Sequence, residues 1–303
     1  MKYSQPMAQQ TLLDQIARLP CWSSGVEISP LPGGMTNRNF LVADRRAERF
    51  VVRVGRDLPD HGVMRFNELA AARAAHAAGI SPEVIHAGEG MLVSRYIDGK
   101  TFGPEDVRDA RNLARIVALV GRCHHDIPRH FRGPALIFWV FQVIRNYLSV
   151  LNEPGKNPLG LDLPELERRM QWLERRVGPV EIVFGHNDLL AANLIDDGER
   201  LWLIDWDYAG FNSPLFDLAN LSSNNAFTPG LDEQLLAAYF ANGVDANCRR
   251  GFAAMKCASL LRELLWGATS LVSSTIEFDY AGYTRDYLQR FDVMWLATYE
   301  DLG

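Results

Sequence analysis

Phe184-Gly185-His186-Asn187-Asp188-Leu189-Leu190-Ala191-Ala192-Asn193, followed by Leu203-Ile204-Asp205-Trp206-Asp207, is the stretch on which the reading of this chain turns. Residues 182–184, 193–195 and 201–204 are short runs of β-forming side chains, and Asp197-Gly198 between the last two is a hairpin turn signal. The pattern puts one carboxylate, Asp188, on a loop after a strand and an amide, Asn193, five residues later. A second carboxylate, Asp205, follows at the end of the hairpin.

Outward from this island, residues 26–97 read as a β-rich unit. Candidate strands lie at 26–31, 40–43 and 50–54, a helix over 61–78 is stopped by Gly79, and strands follow at 84–87 and 91–97. From Pro104 the apolar spacing is helical, over 105–123, 136–151, 163–177, 231–242, 249–273 and 283–299. The expectation is an α+β fold of two lobes. A small β-rich lobe with one helix covers 1–97, a hinge lies at about 94–103, and a larger, mainly helical lobe covers 104–303.

Composition narrows the function classes. With 48% hydrophobic and 22% charged residues the chain is an ordinary globular one, which excludes a disordered or low-complexity protein. A formal net charge of -6 without any basic run argues against a nucleic-acid partner. Cys21, Cys123, Cys248 and Cys257 form no Cys-x-x-Cys pair, so reduced thiols are expected rather than a zinc site or bridges. The N-terminus lacks the apolar core of a secretory signal, and the most apolar stretch, 135–141, is far too short to span a bilayer. A cytoplasmic protein without a membrane span is expected.

The spacing of His186, Asp188 and Asn193 matches the protein-kinase catalytic loop, His-x-Asp with Asn five residues after the Asp. Phosphoryl transfer needs a carboxylate aimed at the acceptor hydroxyl and oxygen ligands that hold Mg²⁺ on the phosphates. Asp188 suits the first role, Asn193 and Asp205 the second. Between the first two strands, Gly33, Gly34, Thr36 and Asn37 form a turn whose backbone N–H groups and side chains suit phosphate oxygens. Only four of the 31 basic residues are lysines, Lys2, Lys100, Lys156 and Lys256, and all are misplaced for a phosphate-binding strand. Arg53 must then take that role, with Glu68 on the following helix as its expected ion-pair partner.

Together these segments resemble the choline/ethanolamine kinase branch of the aminoglycoside-phosphotransferase-like family. Residues 33–40 resemble its nucleotide loop, 186–193 its catalytic motif, and 204–209 with 216–220 its choline kinase motif. Leu265-Trp266-Gly267 and the segment 276–283 resemble its acceptor-site region. The resemblance implies a protein-kinase-like fold with ATP bound between the lobes, Mg²⁺ as cofactor and a small cationic alcohol as acceptor, choline first. It implies that Asp188 is the catalytic base, that Asn193 and Asp205 hold the metal, and that backbone groups of the hinge, among them Ser94 and Tyr96, hold adenine. By the same resemblance Asp217 braces the catalytic loop, Asp207 supports the metal site or acceptor, and Trp266, Tyr280 and Tyr283, with Tyr208, form an aromatic cage. Two positions depart from the family pattern: Thr269 replaces a second cage tryptophan, and Asn224 replaces a carboxylate. The alternatives are kinases of ethanolamine, thiamine or aminoglycosides, and an idle nucleotide-binding module.

Overall fold

The computed structural model describes residues 5–32, 37–88 and 90–302, in two compact units. The first comprises Met1–Arg56 and Pro82–Asp98, the second Asp57–Ser81 and Gly99–Gly303.

The first unit holds α1 (Gln5–Ala17) and an antiparallel sheet of β1 (Val26–Leu31), β2 (Arg38–Asp44), β3 (Arg49–Val54), β4 (Val84–Gly88) and β5 (Met91–Arg95), in the order β1-β2-β3-β5-β4. Alternate side chains on a strand face opposite sides, and the pairs Phe40/Val42, Phe50/Val52 and Met91/Val93 all turn to one buried face with Ile16 and Leu19. The intervening residues occupy the other face. Arg53 is one of them, opposite Asn39 on one side and Leu92 on the other. Ser94 lies opposite Val51. Past the strand end, the Tyr96 N–H donates to the Arg49 carbonyl at 3.0 Å, and the Arg49 guanidinium covers the Tyr96 ring at 4.4 Å.

The second unit is mainly helical. It contains α2 (Arg65–Ala77), α3 (Pro104–Arg108), α4 (Ala110–His130), α5 (Val140–Leu151), α6 (Leu163–Val177), α7 (Pro214–Asn224), α8 (Pro229–Tyr239), α9 (Ala246–Ser273) and α10 (Tyr280–Leu302). Two small ladders join them: β7 (Val183–Gly185) pairs with β10 (Gly210–Asn212), and β8 (Leu194–Asp196) lies between β6 (Lys100–Thr101) and β9 (Leu201–Leu203). The organising element is α9, apolar nearly all round and buried almost continuously from Gly251 to Ser270, with α5, α6, α7 and α10 packed on it. Helix starts follow local chemistry. Asp162, Ser213, Thr228 and Asp245 each cap a first turn by accepting a backbone N–H.

Residues 105–123, expected as one helix, divide at Asp109. That residue is extended (φ -68, ψ 121), ends α3 and caps α4 through the Arg111 N–H. Helix α7, which the sequence pattern did not indicate, carries Asp217 and Asn220 into the core. Lys256 is buried and donates to Asp232 at 2.5 Å, an ion pair internal to the helical unit.

Candidate active site

The loop from Gly185 to Asn193 is built from its backbone outward. Asn187 sits in the left-handed region (φ 66), where a non-glycine residue needs outside support. Its amide donates to the carbonyls of Tyr208 (2.9 Å) and Gly210 (3.2 Å) and accepts from Asn212 at 3.1 Å. Asp217, fully buried on the first turn of α7, accepts the N–H groups of His186 (2.8 Å) and Asn187 (2.7 Å) and the His124 ring nitrogen (3.0 Å). Asn220, one turn later, accepts the Leu189 N–H at 2.6 Å. The loop is thus clamped on both sides of Asp188. Gly185 stands where a Cβ would come within 2.6 Å of the Asn187 amide oxygen, a group with no freedom to move aside. Gly185→Ala is expected to destabilise the protein by about 1–3 kcal/mol and to lower kcat; thermal melting and turnover measure both.

The hairpin returns to the same loop. The Ile204 N–H donates to the Asn193 carbonyl at 3.0 Å, and the Ile204 carbonyl accepts from His186 Nε2 at 2.9 Å. Burial lowers the His186 pKa, in keeping with a neutral ring that donates from Nε2. The two peptide groups that flank Ile204 are therefore both tied to the catalytic loop, and Asp205 follows directly in the left-handed region with a φ of 72. Asn193 Nδ2 donates to the Asp188 carbonyl at 2.9 Å, which leaves its Oδ1 as the atom for a cation. Asn193 Oδ1 and the Asp205 carboxylate are hard oxygen donors suited to Mg²⁺. Among the described residues no group of three or more His, Cys, Asp or Glu could hold a metal, so an ion here would depend on phosphate and water oxygens for its remaining contacts.

Asp188 lies within reach of an ion pair that the linear pattern did not reveal. Arg262 Nη1, on α9, donates to Asp188 Oδ1 at 3.3 Å and to Glu263 Oε1 at 2.5 Å. Burial pushes Asp188 up to about 7, against the pull of the Arg262 guanidinium. The other Glu263 oxygen accepts from the Tyr283 hydroxyl at 2.8 Å. Trp266, one helical turn beyond Glu263, donates to the Tyr208 hydroxyl at 2.9 Å, and its ring meets those of Tyr280 (5.9 Å) and Tyr283 (5.4 Å) edge to face. Tyr287 extends the group, 4.6 Å from Tyr283. The structure therefore gathers Tyr208, Trp266, Tyr280 and Tyr283 into one cluster adjoining Asp188.

The remaining candidates are placed as follows. Asp207 is buried and accepts from Arg65 Nη1 at 2.8 Å; the same nitrogen donates to Glu68 at 2.5 Å. Asn37 is buried at the edge of β2, and Arg53, Ser94 and Tyr96 belong to the β-sheet unit. Gly33, Gly34 and Thr36 lie outside the described residues. Reading the sequence missed Arg65, Arg262, Glu263 and Tyr287. A signal for two of them was present, since Arg262-Glu263 is a charged pair inside the apolar run 257–268 of a core helix.

A β-sheet unit, a helical unit, and an Asp/Asn loop tied to a hairpin aspartate define a phosphotransferase of the protein-kinase-like fold. The chain belongs to the phosphotransferase enzyme family, which matches residues 27–254. It is similar to ethanolamine kinase 2 of Mus musculus, 27% identical over 93% of this chain and 81% of that protein. It is equally similar to a probable choline kinase 3 of Arabidopsis thaliana, 27% identical over 89% of this chain and 86% of that protein. Among solved structures, a choline/ethanolamine kinase family protein from Mesorhizobium loti superposes with a TM-score of 0.75 at 28% identity, covering 94% of each chain. Among the described residues no helix is long and apolar enough to cross a membrane.

Proposed function

We propose that the protein transfers the γ-phosphoryl group of ATP to the hydroxyl of a small cationic alcohol, with choline as the first candidate. The observation that supports this acceptor is the aromatic cluster of Trp266, Tyr280 and Tyr283, whose Tyr283 hydroxyl donates to Glu263, a carboxylate joined through Arg262 to Asp188. A quaternary ammonium cannot donate a hydrogen bond, so ring faces and a fixed carboxylate are what can hold it. Asp188 accepts the hydrogen bond of the acceptor hydroxyl, orients its lone pair toward the phosphoryl group and takes its proton as the new bond forms. Asn193 Oδ1 and Asp205 would hold Mg²⁺, which when bound would offset the negative charge of the phosphates. Asn37 and Arg53, with Gly33, Gly34 and Thr36 of the sequence, are assigned to the phosphates, and the backbone near Ser94 and Tyr96 to adenine. Asp207 and Glu68 support the site by fixing Arg65.

Ethanolamine is the second reading, because its primary ammonium could donate directly to Glu263. Coupled ATP turnover with Mg²⁺ across choline, ethanolamine, thiamine and kanamycin tests the assignment. Turnover with choline or ethanolamine is expected, and ligand binding without turnover of any acceptor would overturn it in favour of an idle module. Trp266→Ala should raise the KM for choline by about 2- to 30-fold, the equivalent of roughly 0.5–2 kcal/mol of ring contact, and leave that for ATP in place. Equal effects on both would remove Trp266 from the acceptor site.

A further inference from the structure

We infer that Glu263, clamped by Arg262, is the residue that makes the enzyme select a charged acceptor over a neutral one of the same shape. The inference rests on the proposed acceptor class and deepens it. Glu263 and Trp266 are three residues apart on α9 and so share one face of the helix. Glu263 is only 3% exposed, with one oxygen on Arg262 and the other on the Tyr283 hydroxyl, so its position is fixed from both sides.

The charges around it do not balance. Arg262, 1% exposed, bridges two carboxylates, those of Asp188 and Glu263, with a single guanidinium nitrogen. Its Nε and Nη2 have no hydrogen-bond partner, and its guanidinium carbon lies 4.3 Å from the centre of the Tyr208 ring. The cation is therefore fixed in place by a ring face as well as by the two acids. When both carboxylates are ionised, one guanidinium against two acids leaves an excess negative charge in a largely buried cluster. His61, whose ring packs 5.9 Å from Trp266, adds no positive charge near neutral pH, because burial and the charge of Arg262 push it down to about 4. Buried charge is costly without a counter-ion, and the cluster reaches balance when a cation settles against the rings. Rings alone recognise shape. A carboxylate fixed among them recognises charge as well, and a neutral isostere leaves that carboxylate uncompensated.

Choline and 3,3-dimethylbutan-1-ol, in which carbon replaces the ammonium nitrogen, separate the two contributions. The wild-type enzyme should favour choline in kcat/KM by about 100-fold or more. Glu263→Gln, close in shape and able to keep a contact to Arg262, should reduce that preference to about tenfold or less, mainly through the KM for choline. Glu263→Asp, which retains the charge, should recover part of it. The KM for ATP serves as the reference that a general loss of structure would also disturb. Equal use of both alcohols by the wild-type enzyme, or an undiminished preference in Glu263→Gln, overturns the inference even if choline is phosphorylated. No turnover with any amino alcohol overturns the acceptor class, and this inference falls with it.

Discussion

Asp188→Asn is expected to lower kcat by roughly 10²–10⁴-fold, the usual contribution of a positioned general base, with the KM for ATP little changed. The amide keeps the size of the side chain and a contact to Arg262 but cannot take a proton. The pH dependence supplies a second readout. Burial raises the Asp188 carboxyl to about 7, so the group is protonated below that value and becomes competent above it. Wild-type kcat/KM should therefore rise as pH passes upward through about 7, and the residual rate of the variant should lack that limb. Wild-type turnover by Asp188→Asn would remove Asp188 from the reaction.

Asp217→Ala should be the most damaging substitution for stability, by about 3–5 kcal/mol in urea unfolding. Its carboxylate accepts from two consecutive loop N–H groups and from His124, and truncation would leave those donors buried around a void. Burial alone would raise this carboxyl. The hydrogen bonds from His124 and from the His186 N–H outweigh it and hold the group below its ordinary value. A carboxyl lowered on folding stabilises the native state above its unfolded pKa of about 4, and the stabilisation is lost as pH falls through the lower folded value. The variant should therefore show a shallower acid branch than the wild type. An Asp217→Ala protein as stable as the wild type would contradict this account.

What could be read from the linear sequence followed the range of the interactions involved. Helix α6 was legible to the residue because its start is capped by the adjacent Asp162 and Leu163, Leu166, Met170, Leu173 and Val177 repeat at helical spacing. The sheet strands were legible because alternate residues are buried. Helix α7 was not. Its segment PLFDLANLSSN is poor in strong helix formers and buries Asp217, Asn220, Ser222 and Ser223 along with its apolar side chains, so no amphipathic stripe exists to find. The candidate site divides in the same way. Asp188, Asn193 and Asp205 lie within one loop and hairpin, and their spacing is their signal. The Arg262–Asp188 contact joins residues 74 apart and the Arg65–Asp207 contact residues 142 apart, pairings that only the packing of helices brings about.

Helices α9 and α10 supply Arg262, Glu263, Trp266, Tyr280 and Tyr283, while residues 186–207 supply the groups assigned to phosphoryl transfer. The two sets sit on different segments of the chain, so a substitution in one need not disturb the other. On the proposed assignment, exchanging one alcohol for another requires changes at a few positions on two helices and none in the transfer loop. The loop motif alone therefore reports the reaction class, and the alcohol has to be read from the helices.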